Sequence, residues 1–237
     1  MKRCAKCLLK ETCLPAGLQA DEVREFERLI DSRRCLKAGE VLYRTDEPFR
    51  MLYAIRAGCL EASVLPGDGG ERIIGVHMEG AIIGFDGIFS GRHACNAVAL
   101  EKAEVCAMPF DELNQLACRI PQLRQSIHRV WAREMRRNQA QMVLLGSKQT
   151  HQRLAAFLLD LAERQSQRGR PPTGELALRI ARGPLSNYLG MTPEALSRGF
   201  HRLTAEGLIT VSGRKVTLLD PESLRGVINC APMRRPH

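Results

Sequence analysis

Three cysteines near the start of the chain have the spacing of metal ligands. Cys4, Cys7 and Cys13 form a Cys-x2-Cys-x5-Cys run, which places three thiols within ten residues. A flexible segment of that length can wrap around one metal centre, and the spacing suits an iron–sulfur cluster or a zinc ion. Both centres take four ligands, so a fourth must come from elsewhere in the chain. Spacing alone leaves six candidates: Cys35, Cys59, Cys95, Cys106, Cys118 and Cys230.

Two short helices joined by a Gly turn predict a helix-turn-helix near the carboxyl end. Residues 184–189 form the first helix, Gly190 the turn, and Thr192 the N-cap of a second helix with a proline at its first position. Two predicted strands follow, 208–211 and 215–218. A hairpin after such a helix pair indicates a winged helix-turn-helix, whose second helix enters the major groove of DNA. The inner face of the second helix is expected to consist of Ala195, Leu196, Phe200 and Leu203.

The early residues of that second helix have side chains that match base edges. Arg198 can donate two hydrogen bonds to guanine, Glu194 can accept one from the amino group of cytosine, and Ser197 can serve either base type. Thr192 and the amino end of the helix suit a phosphate. A winged helix that contacts another protein is the alternative, but the basic charge around the motif favours DNA.

The chain lacks the motifs of an enzyme. It has no phosphate-binding loop, no nucleophile-and-base pair and no paired carboxylates, and its six histidines have no recognisable ligand spacing. A thioredoxin-like redox pair at Cys4 and Cys7 would require a βαβ context, which the surrounding sequence does not have. We therefore expect a binding protein and not an enzyme.

The charge of the chain is divided between its two halves. The length of 237 residues suits two domains, and 44% apolar with 26% charged residues indicates a globular protein. The net charge is +9: residues 1–118 carry 15 Lys and Arg against 18 Asp and Glu, residues 119–149 carry 7 against 1, and residues 150–237 carry 13 against 7. Positive charge confined to the second half is expected if only that part faces a polyanion.

Three sequence patterns predict the elements that position these residues. Residues 18–34 have helical spacing, with Asp21 as the N-cap. Short apolar runs separated by Gly-rich turns over residues 38–110 predict a β-barrel or jelly roll. From residue 121 to about residue 145 an apolar stripe predicts one long helix, which needs a partner, either the barrel or a second copy of itself. The stripe consists of Leu123, Ile127, Val130, Trp131, Met135, Met142 and Leu145, and a helix over 152–165 and a loop over 166–173 follow it.

The amino terminus predicts a cytosolic protein. It enters charged residues at once and lacks the apolar core and cleavage site of a secretory signal. No stretch has the roughly 18 apolar residues that a membrane helix needs, so we expect no membrane association. In a reducing compartment the nine cysteines are expected to be metal ligands, redox groups or small buried residues rather than disulfides.

The run from Asn187 to Arg198, NYLGMTPEALSR, resembles the CRP/FNR family of bacterial transcription regulators, and the whole chain follows the plan of that family. The resemblance implies an α+β fold with an N-terminal β-roll (a jelly roll like that of cyclic-nucleotide-binding domains), a long dimerisation helix and a C-terminal winged helix-turn-helix. It assigns residues 1–17 to a cysteine-rich cluster-binding segment, 18–118 to the β-roll sensor, 119–149 to the dimerisation helix and 150–237 to the DNA-binding domain.

The Glu-x-x-Ser-Arg pattern is similar to that of the FNR branch, whose members read TTGAT-type half-sites in a palindrome as homodimers. The resemblance therefore carries DNA contact onto Glu194, Ser197 and Arg198. It also implies RNA polymerase as a partner. The turn that family members use for that contact corresponds to residues 66–71, where Gly69 and Gly70 remove side chains.

The β-roll lacks the residues that bind a cyclic nucleotide. That ligand needs a Glu for the ribose hydroxyl and an Arg–Ser pair for the phosphate. Phe85, Ala94 and Cys95 occupy the corresponding places, so we expect no cyclic AMP binding. Asp86 and Arg92 leave open a nucleotide bound through other contacts.

The resemblance also implies what the sensor binds. Oxygen-sensing members of the FNR branch carry Cys-x2-Cys-x5-Cys near the amino terminus and a fourth ligand in a Val-Cys-x-x-Pro-Phe run, here residues 105–110. It thus implies a 4Fe-4S cluster and a dimer that binds DNA at low oxygen. The alternative is a β-roll regulator of another small ligand or redox signal, whose cysteines hold zinc or no metal. The implied cluster ligands are Cys4, Cys7, Cys13 and Cys106, with Cys95 the second choice for the fourth position.

Overall fold

The computed structural model describes residues 4, 7–9, 11–67, 69–166 and 175–229. The chain divides into two compact units, Met1–Arg136 and Arg137–His237, and the division falls inside the longest helix. The four segment boundaries drawn from the sequence stay predictions. Cys230 and all but the first residue of the predicted loop 166–173 lie outside the described residues.

The first unit is built from helices that flank a set of antiparallel strands. In the described part of the chain its elements are, in order, α1 (Ala20–Leu29), β1 (Ser32–Leu36), β2 (Val41–Tyr43), β3 (Met51–Ala57), β4 (Cys59–Val64), β5 (Arg72–Met78), β6 (Ile82–Ile83), a 3-10 turn (Phe85–Gly87), β7 (Asn96–Ala99), β8 (Ala103–Pro109), α2 (Phe110–Arg119) and the start of α3 (Pro121–Ser147).

The strands form two four-stranded sheets, in the orders β1-β8-β3-β6 and β2-β7-β4-β5. Every pairing in them is antiparallel, and each sheet combines strands that are distant along the chain. This is the β-roll that the short apolar runs and Gly-rich turns predict, and the α+β fold class is confirmed.

The sheet that contains β8 is covered on both faces. In β8, Val105 and Ala107 belong to the core between the two sheets, whereas Cys106 and Met108 face a second core formed with the helices. Its neighbour β3 alternates in the same way, with Ala54 opposite Cys106. Because successive side chains of a strand point to opposite faces, this register places Cys106 on the helical side. The second core includes Leu14, Val23, Phe26, Leu113, Leu116 and Leu123.

The predicted helix over residues 18–34 is shorter in the structure. The N-cap is Gln19, whose backbone N–H donates to the Glu22 carboxylate at 2.7 Å, so the prediction of Asp21 as N-cap is wrong. Ile30 has extended backbone angles and ends the helix. The residues that follow pair with β8 as strand β1, since the unpaired edge of the sheet supplies hydrogen bonds that outweigh their helical spacing.

The second unit contains the end of α3 and the winged helix-turn-helix. Helix α4 packs against α6 and α7, and Gly199 of α6 permits a close approach because a Cβ there would lie 3.2 Å from Cδ2 of Leu154. The wing turns at Gly213, whose φ is +58°. Its sheet has the order β10-β11-β9, and β9 is a strand that the sequence patterns did not predict. In the described residues the elements after α3 are α4 (Thr150–Ser166), β9 (Glu175–Ala177), α5 (Arg182–Tyr188), α6 (Pro193–Ala205), β10 (Ile209–Ser212), β11 (Lys215–Leu218) and α7 (Pro221–Asn229).

The apolar stripe of α3 is buried only in its first part. Leu123 and Val130 are buried in the second core of the first unit. Farther along, Trp131 is 52% exposed, Met135 47% and Met142 71%. Among the described residues, no helix is both long and apolar enough to cross a membrane.

Candidate functional site

The four cysteines that were predicted as cluster ligands line one small cavity of the first unit. Cys4, Cys7, Cys13 and Cys106 border a space of about 30 Å³, and all four are partly buried free thiols. Cys95, the second choice for the fourth position, belongs instead to the core between the two sheets. We call the first group the thiol pocket. Its other lining residues include Leu9, Pro15, Phe26, Ile30, Ala54, Arg56, Gly80 and Met108.

Local turns bring the amino-terminal thiols to the sheet. The N–H of Cys7 donates to the carbonyl of Cys4 at 3.0 Å, and the N–H of Cys13 donates to the carbonyl of Leu9 at 2.9 Å. The next residue, Leu14, is fully buried in the helical core. These turns fold the segment over the face of β8 that carries Cys106.

Burial raises the pKa of three thiols in the pocket, those of Cys4, Cys13 and Cys106, and keeps them protonated at neutral pH. Burial, together with a smaller contribution from the neighbouring Cys106, raises the pKa of Cys4 to about 11. Burial also raises the pKa of Cys13 to about 12. The pKa of Cys106 is raised by burial and lowered in part by Arg33 and Arg56. A cation that binds here must therefore displace thiol protons.

The thiol pocket contains the donor set of a thiolate-bound metal centre. Among the residues that the structure describes, no three His, Cys, Asp or Glu side chains are placed to share one ion. Four soft thiol donors around one cavity nevertheless match the ligand set of a 4Fe-4S cluster, in which each thiolate binds a different iron atom. The donor set fits the cluster, and four cysteine thiolates are also a usual ligand set for zinc.

The candidate DNA-reading residues lie together on one exposed helix. Thr192 is the N-cap of α6, and its hydroxyl accepts a hydrogen bond from the N–H of Ala195 at 3.2 Å. Glu194, Ser197 and Arg198 are exposed. The pKa of Glu194 is lowered by its own backbone N–H and by the Thr192 hydroxyl, so this carboxylate is an acceptor at neutral pH. The opposite face is buried as predicted at Leu196, Phe200 and Leu203, while Ala195 is only partly buried.

Two arginines near α6 were not assigned specific contacts by sequence reasoning. The Arg182 guanidinium stacks over the Phe200 ring, 3.5 Å from its centroid. Nε of Arg202 donates to the Glu206 carboxylate at 2.8 Å. The spacing of four residues on a helix is a signal for the second contact. Sequence spacing has no signal for the first, because the two residues lie on different helices.

A partly buried polar group around Asp86 occupies the part of the β-roll that corresponds to a nucleotide phosphate site. The Asp86 carboxylate accepts hydrogen bonds from the Tyr43 hydroxyl at 3.3 Å, the Ala94 N–H at 2.9 Å and the Cys95 thiol at 3.5 Å. Nδ1 of His93 lies 3.3 Å from it. The His93 and Tyr43 rings are stacked with centroids 3.7 Å apart. An anionic ligand would meet a carboxylate here instead of a cation.

A β-roll followed by a long helix and a winged helix-turn-helix with an exposed polar second helix defines a class of DNA-binding transcription regulators. Residues 152–227 match the Crp-like helix-turn-helix domain, and residues 33–119 match the cyclic nucleotide-binding domain.

Similar proteins place the chain within that class. It is 37% identical over 225 residues to the transcriptional regulatory protein btr of Bordetella pertussis, covering 95% of this chain and 93% of the other. It is 35% identical to the fumarate and nitrate reduction regulatory protein of Salmonella typhimurium, with 93% and 88% covered. The structure of FixK2 from Bradyrhizobium japonicum superposes with a TM-score of 0.75 at 28% identity, over 84% of this chain and 98% of that one. The chain belongs to the CRP/FNR family and is a transcription regulator, not an enzyme.

The hydrogen bonds to Asp86 predict a pH-dependent contribution to stability. Burial raises the pKa of this carboxyl, but hydrogen bonds from His93, Ala94 and Cys95 lower it overall below its usual value. The stabilisation is therefore present above the unfolded pKa of about 4 and is lost as the pH falls through the lower folded pKa. We expect Asp86→Asn to reduce the free energy of unfolding at pH 7 by about 1.5 to 3 kcal/mol, the range for hydrogen bonds to a charged group.

Urea unfolding of the original protein and of Asp86→Asn, at pH 7 and at pH 3.5, measures the difference in their free energies of unfolding. This difference should be smaller at pH 3.5. The matched control is Asp31→Asn at an exposed aspartate, which should change stability by less than about 0.5 kcal/mol. A difference that is the same at both pH values would contradict the role of the charged form.

Proposed function

We propose that this protein is an FNR-type regulator that senses oxygen through a 4Fe-4S cluster and binds TTGAT-like palindromes as a homodimer at low oxygen. The observation that carries the proposal is the thiol pocket, in which three amino-terminal cysteines and Cys106 line one cavity. As a DNA-binding protein it would act in the cytoplasm with RNA polymerase as its partner. The Asp86 group weighs against a β-roll that binds an anionic ligand.

Cys4, Cys7, Cys13 and Cys106 would hold the cluster. When bound, it supplies iron that oxygen can oxidise. Arg33 and Arg56, which lower the pKa of Cys106, would offset part of the negative charge of the thiolates. The residues that follow Cys13 connect the thiol pocket to the long helix α3.

The segment after Cys13 contacts the first turns of α3. The buried Ser126 hydroxyl donates to the carbonyl of Ala16 at 3.3 Å. A Cβ at Gly17, whose φ is +78°, would lie 3.0 Å from Nε2 of Gln122. Ligation of the thiols therefore holds in place a segment that itself packs on α3. When ligation is lost, Leu14 and these contacts alone must retain it, so we expect the bias on α3 to weaken.

Self-association along α3 would complete the regulator. Trp131, Met135 and Met142 are large apolar side chains that are about half exposed or more. Pairing of two α3 helices would cover them and place the two α6 helices about 34 Å apart, one turn of DNA. The excess of arginine on the helix, including Arg129 and Arg133, opposes pairing by repulsion and would help keep the cluster-free form monomeric.

Arg198 is expected to read the guanine of the half-site. Arg198→Ala should weaken binding to a TTGAT-N4-ATCAA duplex by about 1 to 3 kcal/mol, roughly 5- to 150-fold, because a bidentate contact is lost. Replacing the guanine in the duplex should weaken binding by the original protein to a similar extent. It should not weaken binding by the variant any further. Titration of labelled duplexes under anaerobic conditions measures both effects.

The matched control is Arg225→Ala, which removes the same charge from α7, where Arg225 pairs with Glu222. It should leave the discrimination between the two duplexes unchanged. If Arg198→Ala still discriminated between them as the original protein does, the assignment of Arg198 to guanine would be wrong.

The cluster itself is tested at Cys106. After anaerobic reconstitution with iron and sulfide, we expect the original protein to contain about four iron atoms per chain and a broad visible absorption band. Cys106→Ala should lose the band and the oxygen dependence of DNA binding. Cys118→Ala, at an exposed cysteine on α2, should keep both.

Three outcomes would contradict the proposal. One is a colourless protein without iron after anaerobic purification and reconstitution. Another is bound zinc in place of iron, which would favour the zinc alternative. The third is a Cys106→Ala variant whose DNA binding still depends on oxygen as in the original protein.

A further inference from the structure

The guanidinium of Arg153, in the second unit, donates hydrogen bonds to two separate segments of the backbone. Nε of Arg153 donates to the carbonyl of Lys148 at 3.0 Å, and Nη2 donates to the carbonyl of Leu145 at 2.9 Å. Nη1 donates to the carbonyls of Leu189 and Gly190 at 3.1 and 2.9 Å. The first pair lies at the carboxyl end of α3, and the second pair lies in the turn between α5 and α6.

These carbonyls need an external donor. The last four carbonyls of a helix have no partner within it, and a turn leaves carbonyls unpaired as well. A guanidinium has five N–H donors in a fixed plane, so it can serve both sets at once. A lysine ammonium is a single point of charge and cannot span them in the same way.

Two further contacts connect the end of α3 with the turn between α5 and α6. Nε2 of Gln141, on α3, donates to the carbonyl of Tyr188 at 3.0 Å. Gly190 has a φ of +60°, and a Cβ there would lie 2.9 Å from Cδ2 of Leu145 and 3.3 Å from Nη1 of Arg153. The turn of the helix-turn-helix is thus fitted directly against the end of α3.

We propose that Arg153 is a positioning residue that sets the angle between the end of α3 and the recognition helix α6, and thereby the half-site spacing that the dimer reads. Arg153 acts through the α5–α6 turn, and the residues that we assign to base contact are others, on α6. This inference rests on the proposed function, because spacing has meaning only for a dimer on a palindrome. In such a dimer the paired α3 helices fix the axis, so the α3–α6 angle fixes how far apart the two α6 helices lie.

The test is a spacer series with the full chain, reconstituted and assayed anaerobically. Duplexes carry TTGAT and ATCAA separated by two to six base pairs. The original protein should bind one spacer length best. Arg153→Lys, which keeps the charge, should lose about tenfold or more at the preferred spacer, the scale expected for charge-assisted hydrogen bonds. Its affinity for duplexes whose spacer is one base pair longer or shorter should stay within about twofold of that of the original protein. The profile of affinity against spacer length therefore flattens.

Two further variants distinguish an effect on half-site spacing from a general folding defect. Gln141→Ala removes only the contact to Tyr188 and should flatten the profile less than Arg153→Lys. Arg225→Lys, on α7, is the matched control and should keep the original profile. The melting temperature of each variant is measured alongside.

The outcomes separate the inference from the proposed function. If the original protein has no spacer preference, the palindrome proposal fails and this inference fails with it. If the preference is present and Arg153→Lys and Gln141→Ala both keep it, the inference alone is wrong. A loss that is equal at every spacer also overturns it, because that is the signature of a general stability role. A flattened profile with an unchanged melting temperature supports it.

Discussion

The burial of strand β8 on both faces is the constraint on which the first unit depends. Ala103, Val105 and Ala107 fill the core between the two sheets, and Cys106 and Met108 face the core formed with α1, α2 and the start of α3. A shift of one residue in register would exchange the two sets and turn Cys106 into the core between the sheets. The apolar residues that flank Cys106 are thus what hold its thiol toward the amino-terminal segment.

The same strand connects the thiol pocket to the long helix. Helix α2 begins directly after β8, and α3 follows α2 by a single residue. Leu14, Leu113 and Leu123 come from the cysteine segment, α2 and α3, and all three are fully buried in one core. Side chains packed at this density transmit displacement rather than absorb it. We therefore expect a displacement of the cysteine segment to displace the start of α3 as well.

The β-roll fold and its ligand chemistry are separable in this chain. The strands keep the architecture of a cyclic nucleotide-binding domain, yet the polar group around Asp86 satisfies its own hydrogen bonds internally. A partly buried carboxylate with several donors is stable where it lies and offers no cation to a phosphate. The fold remains, and the thiol pocket lies on the other side of the sheet that contains β8.

Local patterns in the sequence determine much of this protein. The strand-rich texture, the long helix from Pro121, the Thr192 cap and the exposed side of α6 all follow from residue spacing, because each depends on neighbours within one element. The cysteine spacing identifies three thiols as a group. Local spacing misplaced the end of α1 and did not predict β1, since edge pairing with β8 outweighs helical periodicity.

Contacts between distant parts of the chain were decided only by the tertiary structure. Spacing could not single out Cys106 among six cysteines, and it is the register of β8 that places its thiol on the side of the amino-terminal segment. The bonds of Asp86 to Tyr43 and of Arg153 to the carbonyl of Gly190 join residues that are 43 and 37 positions apart. No periodicity links such pairs, because they meet only after the sheets and helices have packed.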